Sequence, residues 1–449
     1  MFASFARRPF SALAALAPLA VAATLSLGMP GLASAQSLKE VYDAARVYDA
    51  AYLSARALAE SAEFRVEQTE ALLRPSAFAT ANATGTQSEL PVLGSRNGAT
   101  VQGGVNGRYP LFNKASKVSI EQARKSLETA KADLETAEQD LIVRVSQAYF
   151  DVLAAQDTLA TVRASKSFTS EQLASAKRNF EVGTATITDT REAQARFDLT
   201  TAQEIAADND LRAKRIGLDT LVGRQNVVPK PLVVPVVLPS TAPANPEEWV
   251  SQADAAHPNI RRARVGLEVA TLETDKARAG ELPTVDAVGS LTVGDSRGRL
   301  FTLPGTSATA SVGVQMNWPL YTGGSVQNRI RETLKLEERS RNDLEAARRG
   351  VAQTTRVAYF GVQSGLAQVR ALEAAEASSK LALEATQLGY RVGVRVNLDV
   401  LNSQSQLVTT QRDLARARYD VLVGGLRLRQ ASGQLAPADV QAVTTLLAR

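Results

Sequence analysis

The stretch Ala99-Thr100-Val101-Gln102-Gly103-Gly104-Val105-Asn106-Gly107-Arg108-Tyr109-Pro110-Leu111-Phe112 alternates with a period of two. Ala99, Val101, Val105, Tyr109 and Leu111 fall on one side, and Thr100, Gln102, Asn106 and Arg108 on the other. That is a strand with one apolar and one polar face. After Asn113 the period becomes helical: Leu127, Ala130, Leu134, Ala137, Leu141, Val145 and Ala148 recur at intervals of three and four, and no Gly or Pro interrupts before Gly183. At about 1.5 Å per residue, a helix from Lys114 to Phe180 is on the order of 100 Å long, far more than a single globular domain uses.

The same statement is made again. Ala308, Ala310, Val312, Val314, Met316, Trp318 and Leu320 alternate with Thr309, Ser311, Gly313, Gln315 and Asn317, and the chain passes through Trp318-Pro319-Leu320-Tyr321 into a second long helix ending near Gly393. Tyr149-Phe150 and Tyr359-Phe360, Gly183 and Gly393, and Asp189 and Asp399 all stand 210 residues apart. A fixed spacing of this kind signals internal duplication.

Residues 1–35 read as a secretory leader, with Arg7 and Arg8 as basic head, Ser11 to Leu27 as apolar core and Ala33-Ser34-Ala35 as cleavage site. The chain of 449 residues has no Cys, so it offers no disulfide framework, no thiolate nucleophile and no Cys-based metal site. A net charge of +5, spread in both signs along the helices, is a poor footprint for a nucleic-acid binder. Beyond the leader no stretch approaches the roughly 18 apolar residues of a spanning helix, so any membrane crossing must be made by strands.

In order, Ser37 to Arg74 reads as helix, Ser76 to Gly85 as strand and Glu89 to Gly98 as loop, followed by the strand and long helix above. The chain reverses at Val182-Gly183-Thr184, Thr188 or Asp189 caps a returning helix, and that helix stops at Gly223. Residues 36–228 thus form a first repeat. Residues 229–246, with six prolines, form an extended linker. The second repeat, 247–435, carries a helix from Pro246 to Ala279, a strand from Thr284 to Val293, a loop from Gly294 to Ser307, the fourth strand, the second long helix and a returning helix from Asn397 to about Gln430. Residues 436–449 look like a weakly structured tail.

Four amphipathic strands of about 10 to 13 residues suit a tilted bilayer crossing. They cannot close alone, and lipid tolerates no open sheet edge. Three chains would give twelve strands around a water-filled lumen, whereas two would give eight strands and a filled interior. The expected fold is a mixed α+β membrane protein: a homotrimeric 12-stranded β-barrel continued by a cylinder of long helices projecting into the periplasm. Tyr109, Phe112, Trp318 and Tyr321 lie where strand becomes helix, the place for an aromatic girdle against outer-membrane lipid.

The chain resembles the TolC family of outer-membrane channels. The resemblance is carried by Asn179-Phe180-Glu181-Val182-Gly183-Thr184 with Ile187-Thr188-Asp189, by Gly389-Tyr390-Arg391-Val392-Gly393 with Asp399-Val400-Leu401, and by the two strand-to-helix junctions. It implies a homotrimeric 12-stranded outer-membrane β-barrel continued by a 12-helix periplasmic α-barrel, the exit duct of a tripartite efflux pump or type I secretion system, joined through a periplasmic adaptor (membrane fusion) protein to an inner-membrane efflux pump or ABC exporter. It further implies a gate latch in which Tyr390 and Arg395 bond toward Thr188 and Asp189. Asp399 would form a lumen ring, with Asn402 one turn on where many relatives have a second Asp. Val182, Gly183, Thr184, Val392, Gly393 and Val394 would meet the adaptor.

No catalytic, cofactor or metal constellation is expected. The single His, His257, stands before Pro258 without companion ligands, and the Gly-rich stretches match no phosphate-cradling pattern. A barrel-anchored trimeric coiled-coil protein with a structural or adhesive role stays open as the alternative; a periplasmic adaptor would carry one helical hairpin rather than duplicated strand pairs.

Overall fold

The computed structural model describes residues 35–91, 94–233, 235–236, 238–298 and 305–448. The expected leader lies outside them but for Ala35.

Both repeats open with a pair of helices. Leu38–Tyr48 (α1) begins with a capping box in which Ser37 and Glu40 satisfy each other's backbone, and Ala50–Glu70 (α2) follows. The sequence reads as one helix through this region, yet Asp49 interrupts it. Its backbone is extended, and its carboxylate accepts from Tyr52 N at 2.8 Å as the cap of α2. Arg144 grips both oxygens of the same carboxylate at 2.9 and 3.0 Å. That hydrogen-bonded guanidinium holds Asp49 below the usual carboxylate range.

The second repeat breaks at the matching place, 208 residues on. Pro246–Ala256 (α5) and Pro258–Arg278 (α6) flank an extended His257, whose Nδ1 accepts from Asn259 N at 3.1 Å. Proline disfavours helical backbone in the residue before it, so Pro258 ends the first segment and opens the second. Burial pushes the His257 pKa down, which suits a ring that must keep an acceptor nitrogen.

Ser76–Leu90 (β1), Gly94–Phe112 (β2), Thr284–Gly298 (β3) and Gly305–Asn317 (β4) form one antiparallel sheet in the order β1-β2-β3-β4. Its middle pair joins the two repeats. The strands run further than expected: β1 and β3 each continue five residues beyond the predicted ends, so much of the expected loops 89–98 and 294–307 is strand, while β4 stops at Asn317 instead of Leu320. Ladder hydrogen bonds hold these outer ends although their side chains are polar on both faces, and side-chain alternation carries no signal there.

Register sorts the two faces. Ala79, Val105, Leu291 and Ala310 lie abreast on one, and Phe78, Asn106, Ser290 and Ser311 on the other. Val312 on the apolar face is 95% exposed in the single chain. Among the described residues no further strand pairs with the outer edges of β1 and β4.

Each hairpin leads into a rod: Lys114–Glu181 (α3), 68 residues, and Ser325–Arg391 (α7), 67 residues. Asn113 caps α3 directly at the end of β2, its side chain accepting from Ser116 N at 2.9 Å. Residues 318–324 separate β4 from α7. Ile187–Val222 (α4) and Asn397–Ala431 (α8) return.

The main core lies midway along the rods, where Leu141, Val145, Tyr149 and Phe150 of α3 meet Leu38 and Tyr42 of α1, Leu218 of α4 and Leu422 and Leu426 of α8. The two conserved-spacing tyrosines pin the proline-rich linker at its ends. Tyr149 donates to Gln36 O at 2.9 Å and accepts from Lys230 N at 2.7 Å, and Tyr359 donates to Ala244 O. The C-terminal residues are not a loose tail: Pro437–Thr444 (α9) buries Val440 and Val443 against that core, and Leu447 bridges Leu232 of the linker. Burial of Val440, Val443 and the following Leu447 outweighs the short length of this helix.

Candidate functional site

The two helical reversals share one backbone solution. Gly183 takes φ +79°, and Gly393 φ +77°. In the first, Thr184 N donates to Asn179 O at 2.8 Å and Gly183 N to Phe180 O at 3.0 Å; in the second, Val394 N donates to Gly389 O at 2.9 Å and Gly393 N to Tyr390 O at 3.1 Å. These paired bonds satisfy the last carbonyls of a helix and require a left-handed residue, which is why glycine stands at both. Val182, Val392 and Val394 project outward, Val394 at 77% exposure.

The returning helices start differently. Thr186 caps α4 in a reciprocal box, accepting from Asp189 N at 3.2 Å and donating its own N–H to Asp189 Oδ2 at 2.9 Å. Val396, in the same place before α8, has no capping side chain. Asn397 beside it is 3% exposed, with both amide atoms lacking a partner. The second reversal is therefore the less anchored of the two, by about 1 kcal/mol for the cap alone.

Within the chain the expected latch residues have other partners. Asp189 is engaged by Thr186, Thr188 is exposed, and Arg395 faces Asp399 one turn along its own helix at 3.6 Å. Tyr390 accepts from Asn179 Nδ2 at 3.4 Å, and Arg196 Nη2 donates to Asn402 Oδ1 at 2.9 Å. These two bonds tie the first reversal to the second. Asn179 and Arg196 carry no signal of this in the sequence, since their partners lie more than 200 residues away. Asn402 is thus drawn toward α4, while Asp399 stays partly exposed beside Arg395.

At the other end of the rods, Tyr109 and Phe112 close β2, while Trp318 and Tyr321 occupy the connection to α7, outside the strand that was expected to contain Trp318. All four are exposed, and Trp318 Nε1 donates to Glu281 O at 3.3 Å, fixing its indole at the junction. Among the described residues no cluster of three or more His, Cys, Asp or Glu could hold a metal, and no helix is long and apolar enough to cross a membrane.

Residues 41–224 and 249–434, one span in each repeat, match the family described as outer membrane efflux protein. The chain is 32% identical over 432 residues to the outer membrane protein TolC of Vibrio cholerae, covering 95% of this chain and 97% of that one. It is 35% identical over 306 residues to the alkaline protease secretion protein AprF of Pseudomonas aeruginosa, covering 68% of this chain and 63% of AprF. A crystal structure of CusC superposes with a TM-score of 0.77 at 19% identity, covering 89% and 92% of the two chains.

Proposed function

The chain belongs to the outer membrane efflux protein family, and from that premise we propose that three copies complete one pore, docked through their helical reversals on a periplasmic adaptor fed by an inner-membrane pump or exporter. The protein is an outer-membrane exit duct of the kind that serves efflux and type I secretion. The observation that carries the trimer is a four-stranded sheet with an apolar face, a polar face and two unpaired edges. Such a sheet is admissible in lipid only when sister chains close it, β4 of one against β1 of the next.

The gate is assigned to the second reversal. It lacks the cap that fastens α4, and its ties to the first reversal are single side-chain bonds, Asn179 to Tyr390 and Arg196 to Asn402. Bonds of this kind are exchanged at modest cost. In the assembled trimer Tyr390 and Arg395 would face Thr188 and Asp189 of a neighbour, Asp399 would repeat as a carboxylate ring, and the exposed valines with Gly183, Thr184 and Gly393 would receive the adaptor. Tyr109, Phe112, Trp318 and Tyr321 would form the girdle at the inner lipid surface.

The test is direct. The mature chain should run as a heat-sensitive trimer in SDS and conduct single-channel currents in planar bilayers. A chain that stays monomeric, or inserts without conducting, overturns the reading. The likeness to AprF, a protease secretion protein, supports passage of protein, and the match to the efflux family supports passage of small solutes. A deletion strain assayed for both exoprotein secretion and drug susceptibility separates the two cargoes.

A further inference from the structure

One ion pair stands apart inside the sheet. Arg108 Nη2 of β2 donates to Asp286 Oδ2 of β3 at 2.7 Å, joining the two repeats across their shared strand pair. Register puts both on the polar face, with Arg108 in line with Ser76 and Val288, and Asp286 in line with Pro110 and Gln315. The ladder shifts between Pro110 and Phe112, and an irregularity of that kind re-aims the side chains beside it.

The partners are not equivalent. Asp286 is nearly buried and its Oδ1 has no donor, whereas the Arg108 side chain is half exposed on the polar face. Asp286 is therefore the positioning residue and Arg108 the group presented to the water. Apart from Arg96 near the outer hairpin, every other described residue on the polar face is uncharged, with Thr80, Gln102, Asn106, Thr292 and Ser311 typical of it. In a passage with few charges and low-dielectric walls, a fixed charge left without its counter-charge governs which ions pass.

We infer that Arg108, held by Asp286, repeats three times around the lumen where the β-barrel meets the helices, and that the charge balance within this ring of pairs sets the preference of the upper pore between cations and anions. The inference rests on the trimeric barrel proposed above. The level is fixed by Tyr109, the next residue along β2, which points to the lipid face at the girdle. The ring is separate from Asp399, which lies at the far end of a rod on the order of 100 Å long.

Planar-bilayer reversal potentials in a KCl gradient test it on the intact trimer. Asp286→Asn leaves the guanidinium uncompensated and should lower the K⁺/Cl⁻ permeability ratio; Arg108→Gln should raise it. Three charges about 10 Å from the axis, screened over a Debye length of about 10 Å, give a change of roughly four-fold in each direction. The double variant should return to the wild-type ratio. Single variants that leave the ratio unmoved, or move it the same way, overturn the ring. A wild-type chain that does not conduct overturns the pore itself, and the ring with it. Should Asp286→Asn fail to assemble, Arg108→Cys in this chain without native cysteine serves instead. A charged, water-soluble thiol reagent should then reduce its conductance, and unchanged current overturns the assignment.

Discussion

Replacing Gly393 separates a backbone role from a docking role, because a side chain there meets nothing within its own chain. Its φ of +77° is left-handed, and an added Cβ has no neighbour within 4 Å. Gly393→Ala therefore costs only backbone strain, about 1–2 kcal/mol. Asparagine tolerates the left-handed region better, so Gly393→Asn should cost less strain, while it projects a larger group from the outermost turn. Local stability should then fall in the order Gly, Asn, Ala, read by amide exchange at Val394 and Arg395. If the adaptor approaches the turn closely, adaptor-dependent export should fall in a different order, Gly, Ala, Asn. Both variants should assemble as trimers, since the core around Tyr149 lies tens of ångströms away at about 1.5 Å per residue along α3. Export that follows the stability order would refute the docking assignment and leave Gly393 a turn residue alone.

Asp49→Ala removes a helix cap and one partner of a forked ion pair, which should cost about 2–4 kcal/mol at pH 7 in denaturant unfolding followed by circular dichroism. The Asp49 pKa is lowered in the folded chain, so its contribution is full above the ordinary aspartate range and is lost as the pH falls; the penalty of the substitution should shrink in acid. The reverse holds for Asp157, whose pKa burial raises although Tyr419 donates to it at 2.6 Å. A raised carboxyl favours folding at low pH and loses that contribution as the pH rises through the folded value. Asp157→Asn should therefore stabilise slightly at pH 7, by less than about 1 kcal/mol, and not in acid; a gain independent of pH would refute this. Tyr390→Phe combined with Arg395→Ser should raise single-channel conductance and antibiotic leakage, with Arg196→Ala, which breaks the second tie to Asn402, adding to it, and unchanged conductance in the triple variant would remove these residues from the gate.

Much of this architecture is legible in the chain itself. Alternation around Val105 and Val312 gives the strands, the three-and-four spacing through Leu134 and Leu141 gives the rods, and the recurrence of Tyr149 at Tyr359 and of Gly183 at Gly393 gives the duplication. These are local properties: a period of two or of 3.6 is written residue by residue, and a glycine marks a left-handed turn wherever it falls. The helix breaks are also local: at Asp49 the signal is a single capping side chain, weaker than the apolar stripe that runs through it, and at His257 it is the proline that follows. What only the tertiary structure decided is which distant residues meet. Arg108 finds Asp286, Asn179 finds Tyr390, Arg196 finds Asn402, and the C-terminal helix closes on the linker. The first three pairs each join opposite repeats, brought together by sheet register and helix packing. Periodicity says which face a residue is on, but not what stands across from that face.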